Sequence, residues 1–229
     1  MKVLLINGSP HERGCTYTAL KEIADTLKKH QIESDLFYLG TQPVAGCIAC
    51  GKCQETGRCI FNDKVNQILE KLDTYDALVV GSPVYYAGPS GQITAFLDRL
   101  FYVGGRKMAG KLGSAIVSCR RGGASAAFDR LNKYFSISNM PIVTSQYWNQ
   151  VHGYTPEDVK KDKEGLQTMR TPVSYTHLDV YKRQSSSSPP SSPSSRGKLG
   201  KSIFALIASS VAAITKKEDA ISKSRSSIC

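Results

Sequence analysis

No apolar run in this 229-residue chain reaches membrane-spanning length, which takes about 20 consecutive apolar residues, so no transmembrane segment is expected. The opening MKVLLINGSP carries one lysine and an apolar stretch too short for the core of a secretory signal, and it fits a buried strand better. Histidine is scarce, at four residues. His30 and His152 share no ligand spacing with any other residue, and surface or capping roles are expected for both. Neither G-x-G-x-x-G nor the lysine-containing nucleotide loop follows the first apolar run, where GSPHERGCT stands instead. A monophosphate is therefore expected at that loop in preference to a dinucleotide pyrophosphate, with an ordinary strand-to-helix turn as the alternative. Acidic residues are in deficit, 19 against 30 basic ones, which leaves a net charge of +11.

That deficit is local. Residues 1–171 carry 21 basic and 16 acidic side chains, whereas residues 172–229 carry 9 and 3. The last quarter also differs in kind: a Ser/Pro run, SSSSPPSSPSSRG, cannot bury a core, and a short apolar stretch and a basic end follow it. The segment Val173 to Gln184, VSYTHLDVYKRQ, can be encoded by a DNA that is its own reverse complement, similar to two transposon mosaic ends joined head to head. The expectation is a domain of residues 1–171 with a truncated last helix, followed by a chimeric, largely disordered tail over 172–229. With the excess charge assigned to the tail, neither nucleic acid nor a membrane is expected as a partner.

Up to Thr171 strand-like and helix-like segments alternate. Strands are predicted over Lys2–Asn7, Glu33–Leu39, Ala77–Val80, Leu112–Ser118 and Pro141–Gln146. Helices are predicted over Thr16–His30, from the Asn62-Asp63 cap to Leu72, through Ile93, Phe96, Leu97 and Leu100, over Ala124–Phe135, and from Thr155-Pro156 onward. This alternation implies a parallel, doubly wound α/β sheet, in which ligands bind at the carboxyl ends of the strands. Three strands end in small-residue loops, GSPHERGCT, GSPVYYAGPSG and SCRRGGAS, and all three should open on one rim. Aromatic side chains in the second suit a flat heterocycle, or pack beneath the loop. Arg120 and Arg121 in the third could stabilise negative charge, or be solvated surface.

What the chain has in plenty is cysteine in one place. Four of its seven cysteines, Cys47, Cys50, Cys53 and Cys59, fall in CIACGKCQETGRC with C-x2-C-x2-C-x5-C spacing. Thiolates at that spacing suit a 4Fe–4S cluster, structural zinc, or a set of thiols without metal. Cysteines bunched in this way indicate a reducing, cytoplasmic setting and not a disulfide framework. Cys15 and Cys119 lie in the rim loops and read as small residues, and Cys229 lies in the tail.

These residues resemble the flavodoxin-like NAD(P)H-dependent FMN reductase superfamily, and more closely its iron–sulfur flavoprotein branch. GSPHERGCT resembles the family's FMN phosphate loop, with His11 where the family usually has arginine; GSPVYYAGPSGQITAFLDR resembles its flavin-ring loop and following helix. CIACGKCQETGRC resembles the branch's compact cluster motif. The resemblance implies a flavodoxin-like five-stranded sheet in the order 2-1-3-4-5, with the cysteine-rich loop after strand 2. It implies FMN contacts from Ser9, His11, Thr16, Tyr17 and Thr18, from Pro83, Val84, Tyr85, Tyr86 and Gly88, and from Ser118, Arg120, Gly122 and Gly123. It further implies a 4Fe–4S cluster on Cys47, Cys50, Cys53 and Cys59, a homodimer or homotetramer, and electron transfer between cluster and flavin. NAD(P)H or ferredoxin would donate electrons to a small-molecule acceptor. The cofactors carry this chemistry, so no protein general base is expected. Two other functions stay open: a cluster-free NAD(P)H-dependent FMN or quinone reductase, and a non-enzymatic carrier or zinc-stabilised binding module.

Overall fold

A computed structural model describes residues 1–173. Six strands, β1 (Lys2–Asn7), β2 (Glu33–Tyr38), β3 (Ala77–Tyr85), β4 (Gly88–Pro89), β5 (Leu112–Cys119) and β6 (Gln150–His152), form one sheet. Its order is β2-β1-β3-β5-β6, every pair parallel, with β4 folded back antiparallel on the end of β3. Counting only the parallel strands, this is the expected order 2-1-3-4-5; the short hairpin strand β4 is the addition.

The sheet is buried on both faces, and the side-chain alternation of its strands shows why. In β1, Leu4 and Ile6 point into one core with Leu78 and Val80 of β3 and Ala115 and Val117 of β5. Val3 and Leu5 point into the other, with Ala77, Val79, Leu112 and Ile116. Runs that are apolar at every position are what a strand needs when helices cover both its faces. On the first face lie α3 (Lys64–Lys71), α4 (Gly91–Met108) and α5 (Ala124–Ile137), through Val65, Ile68, Phe96, Leu100, Leu131 and Phe135 among others. On the second lie α1 (Cys15–Lys29), through Leu20, Ile23 and Leu27, and α6 (Pro156–Lys161), through Val159. Thr155 and Asp158 form a reciprocal capping box with Pro156 in the first turn, so the predicted helix start is present.

A further helical run covers 163–173. It buries Met169 and Val173 on the second face, so the helix continues through Pro172 and Val173. Of the tail expected over 172–229, Pro172 and Val173 are thus helical, and residues 174–229 lie outside the described residues. Among the described residues no helix is long and apolar enough to cross a membrane.

Two elements differ from expectation: β3 runs on from Val80 to Tyr85, through the start of the second small-residue loop, and the last strand lies elsewhere. The fifth parallel strand forms at Gln150–His152, not at Pro141–Gln146. The earlier segment makes only a single bridge, Gly113 to Ile142, with backbone bonds from Gly113 to Pro141 and from Val143 to Gly113. Side chains then replace the ladder. The Ser114 hydroxyl and the buried Asn149 amide both donate to the Val143 carbonyl, and the Asn149 amide also donates to Ser114 Oγ at 3.1 Å. Residues 144–148 are thereby extruded, leaving Tyr147 and Trp148 in tilted ring contact at the surface. The β-branched residues of PIVTSQ signal a strand; the interruption depends on a serine one strand away.

Candidate functional site

The three small-residue loops meet. Gly8 donates its backbone N–H to the Gly81 carbonyl at 2.9 Å, and the Ser90 hydroxyl donates to the Gly8 carbonyl at 2.7 Å, so the first loop is fastened to the second. A Cβ on Gly8 would lie 2.6 Å from Ile93 Cβ, which is why only glycine fits there. Thr16 and Ser118, both buried, share a hydrogen bond of 2.8 Å that fastens the first loop to the third. Gly123 adopts φ +85°, and a Cβ on it would stand 2.8 Å from Ala87 Cα, so the third loop lies directly on the second.

Within the first loop the side chain of Asn7 accepts from the Ser9 amide and donates to the Glu12 carbonyl, and the buried Ser9 hydroxyl accepts from the His11 amide. Tyr38 donates its hydroxyl to the Pro10 carbonyl. Behind this turn α1 starts at Gly14 with no side-chain cap and no acidic residue in its first turn. A 15-residue helix whose N-terminal amides meet no side-chain acceptor, flanked by the exposed His11 and by the partly buried Tyr17 and Thr18, suits a phosphate.

The second loop is a tight hairpin, with Tyr86 and Ala87 both left-handed at φ 50° and 59°. Two adjacent non-glycine residues in that region are uncommon and carry strain, which concentrates at ligand sites. The turn leaves Tyr85 and Tyr86 exposed and Pro83, Val84 and Gly88 half-buried. In the third loop Gly122 has open space around its Cα. Arg120 is exposed and stacks on Tyr154, 5.3 Å from the ring centre. Cys15 and Cys119 donate to the carbonyls of Gly153 and Arg121, and burial pushes both thiols above their ordinary pKa. His30 closes the carboxyl end of α1, and the His152 amide donates to Asp162.

The cysteine loop follows β2. Cys47, Cys50, Cys53 and Cys59 are all free thiols, and all four line one pocket with Ile48, Ile60, Phe61, Arg99 and Tyr102. Cys53 opens a one-turn helix, α2 (Cys53–Thr56), between Gly51 and Gly57, both left-handed. Its thiol is pushed up, first by burial and then by the neighbouring Cys50, Cys59 and Cys47. Four thiols around one pocket are a donor set that suits a thiolate-ligated cluster. Their sulfurs are not converged: among the described residues no three His, Cys, Asp or Glu side chains are placed to hold a metal ion.

Four residues that sequence reasoning passed over hold this loop. Gln92 donates to the carbonyls of Gly40 and Gln42, and Lys64 donates to those of Tyr38 and Leu39. Asn66 grips Cys59 at both its backbone N–H and its carbonyl, each at 2.9 Å. Arg99, 1% exposed, donates Nε to Cys59 Sγ at 3.2 Å and a fork of two bonds to Asp63 at 2.6 and 2.9 Å. A signal existed for Arg99: Gln92, Phe96, Arg99 and Val103 fall on one stripe of α4, so a charge there faces inward.

Strand order and a rim of three interlocked loops define a doubly wound α/β protein of flavodoxin-like fold, with a rim that suits a phosphate-bearing ligand. A family model described as NADPH-dependent FMN reductase matches residues 1–155. An iron–sulfur flavoprotein of Methanocaldococcus jannaschii is 33% identical over 178 residues, spanning 74% of this chain and 92% of the relative. One from Methanosarcina thermophila is 27% identical over 173 residues, spanning 74% and 90%. The chain belongs to the NADPH-dependent FMN reductase family and, within it, to the iron–sulfur flavoprotein branch. Among solved structures, an NADH:FMN oxidoreductase superposes with a TM-score of 0.58 over 78% of this chain and 89% of its own, at 17% identity. A WrbA-like flavodoxin from Agrobacterium tumefaciens gives 0.51 over 80% and 96%, at 15% identity. Both likenesses concern the fold.

Proposed function

We propose that this oxidoreductase passes electrons between a 4Fe–4S cluster on Cys47, Cys50, Cys53 and Cys59 and an FMN held by the three rim loops. The observation that carries the reading is the gathering of all four cysteines around one pocket whose wall is α4, the helix that starts directly behind the second rim loop. FMN takes up one or two electrons and a 4Fe–4S cluster one at a time, which lets the pair couple a one-electron donor such as ferredoxin to a two-electron acceptor.

Each residue then has a placement task. Ser9, Thr18 and the N-terminal amides of α1 receive the phosphate, with His11 and Tyr17 beside it. Thr16 and Ser118 fix the spacing between the first and third loops. Pro83, Val84, Tyr85, Tyr86 and Gly88 offer the flat surface for the ring, and Gly122 and Gly123 allow close backbone approach opposite. Arg120 supplies positive charge toward electron density added to the ring. Cys59 is the anchored ligand, whereas Cys47 and Cys50 lie on the exposed side of the pocket. A homodimer or homotetramer is the proposed assembly.

The test is anaerobic purification with assay of flavin, iron and acid-labile sulfide. About one FMN and about four irons per chain are expected for this cofactor pair; FMN without iron or sulfide sinks the reading. The unconverged sulfurs favour a second reading, a cluster-free NADPH-dependent FMN or quinone reductase. In that case NADPH bleaches the flavin, and serine at all four cysteine positions leaves the rate unchanged.

A further inference from the structure

We infer that Arg99 is a positioning residue of the cysteine centre, fixing Cys59 through an N–H···S bond, holding the loop through Asp63, and setting the electron affinity of the centre that Cys59 ligates. The last part rests on the cluster reading above.

The donors of Arg99 all point one way. Besides Cys59 and Asp63 they reach the carbonyls of Ala45 at 3.2 Å and Phe61 at 3.4 Å, and the guanidinium lies 4.8 Å from the centre of the Phe61 ring. Every acceptor belongs to residues 45–63, so one buried cation gathers both ends of the cysteine segment. Stability alone does not account for it, because a buried ion pair is commonly no better than apolar residues of the same volume. Asp63 is in addition the N-cap of α3, accepting from Val65. Its carboxylate therefore fixes the helix start and the guanidinium at once. Cys59 is the most constrained of the four cysteines, held at its sulfur by Arg99 and at its backbone by Asn66, itself buried.

The electrostatic consequence follows from Coulomb's law. Cluster potentials depend on net charge and on hydrogen bonds to the ligand sulfurs. An added electron increases the negative charge at the centre, and a permanently protonated guanidinium at hydrogen-bond distance from Sγ favours that state with no proton moved. Lysine would keep the charge but present a point donor in place of the fork, so it cannot reach Cys59, Asp63 and two carbonyls together.

The test uses the full chain, purified without oxygen, as wild type, R99K, R99Q and D63N. In metal-free protein, hydrogen exchange across residues 45–63 is expected to quicken about tenfold or more in R99K and R99Q, while β1 and β3 stay protected. In iron-reconstituted protein, reductive titration should place R99Q below the wild type, R99K between them, and D63N above, because one change removes a cation and the other an anion. R99Q and D63N shifting in the same direction, or R99Q matching the wild type, overturns the tuning role; unchanged exchange over 45–63 overturns the holding role. If R99Q does not fold, R99K and D63N still give opposite expected shifts. A wild type that takes up no iron refutes the proposed function, and the exchange data then still decide the holding role.

Discussion

The rim loops are held by one another, whereas the cysteine loop is held by helices beside it. At the rim, the fastenings join glycine, serine and threonine at the ends of neighbouring strands: Gly8 to Gly81, Ser90 to Gly8, Thr16 to Ser118, and Gly123 against Ala87. Around the cysteines the donors are long polar side chains of α3 and α4, and most acceptors are loop carbonyls. Rim geometry is therefore specified where the strands end. The cysteine loop takes its shape from side chains of the two helices that follow it in the chain, and its half with Cys47 and Cys50 is exposed.

The comparison yields graded predictions. The largest effect belongs to R99A, which empties a fully buried site and strips Cys59, Asp63 and the carbonyls of Ala45 and Phe61 of their common donor. Through the cavity and the lost hydrogen bonds, urea denaturation of metal-free protein should show a loss of about 3 kcal/mol; a loss under about 1 kcal/mol would mean that the loop is held elsewhere. G123A comes next. A side chain at φ +85° that also meets Ala87 Cα at 2.8 Å should cost about 2 kcal/mol and weaken FMN retention, read by flavin fluorescence on dilution. Iron content should not change, and a joint loss of iron and FMN would show that the two regions are one cooperative unit. The smallest effect is the Thr16–Ser118 bond: T16V and S118A should each cost about 1 kcal/mol, with the double variant less than the sum. Strict additivity would indicate that the hydroxyls do not fasten the two loops.

The same division explains what the sequence made legible. The first and third small-residue loops and the caps at Asp63 and Thr155 are local patterns, and each appears where its residues predict it, whereas GSPVY of the second loop extends β3 to Tyr85. The order of the parallel strands followed from the family resemblance. Arg99, Gln92, Lys64 and Asn66 carried no local signal of their partners, because a donor on one helix says nothing about which carbonyl folds over it. The fifth strand was misplaced for the same reason: Pro141–Gln146 has strand composition, and only Ser114 and Asn149, brought together by the fold, show where its pairing breaks off.

That broken pairing has a consequence at the scale of many molecules. A parallel sheet ends in two rows of unpaired amides and carbonyls, a template onto which another chain could add. Here β6 offers three residues before α6 follows, with the extruded residues 144–148 ahead of it. On the opposite margin, β2 exposes Glu33 and Asp35, the latter paired with Lys2 at 2.9 Å. Among the described residues neither margin presents a long, flat, uncharged strand. Such a chain can keep an apolar sheet at its centre and still resist growing into a fibre, which could be checked by incubating it at high concentration with an amyloid-sensitive dye.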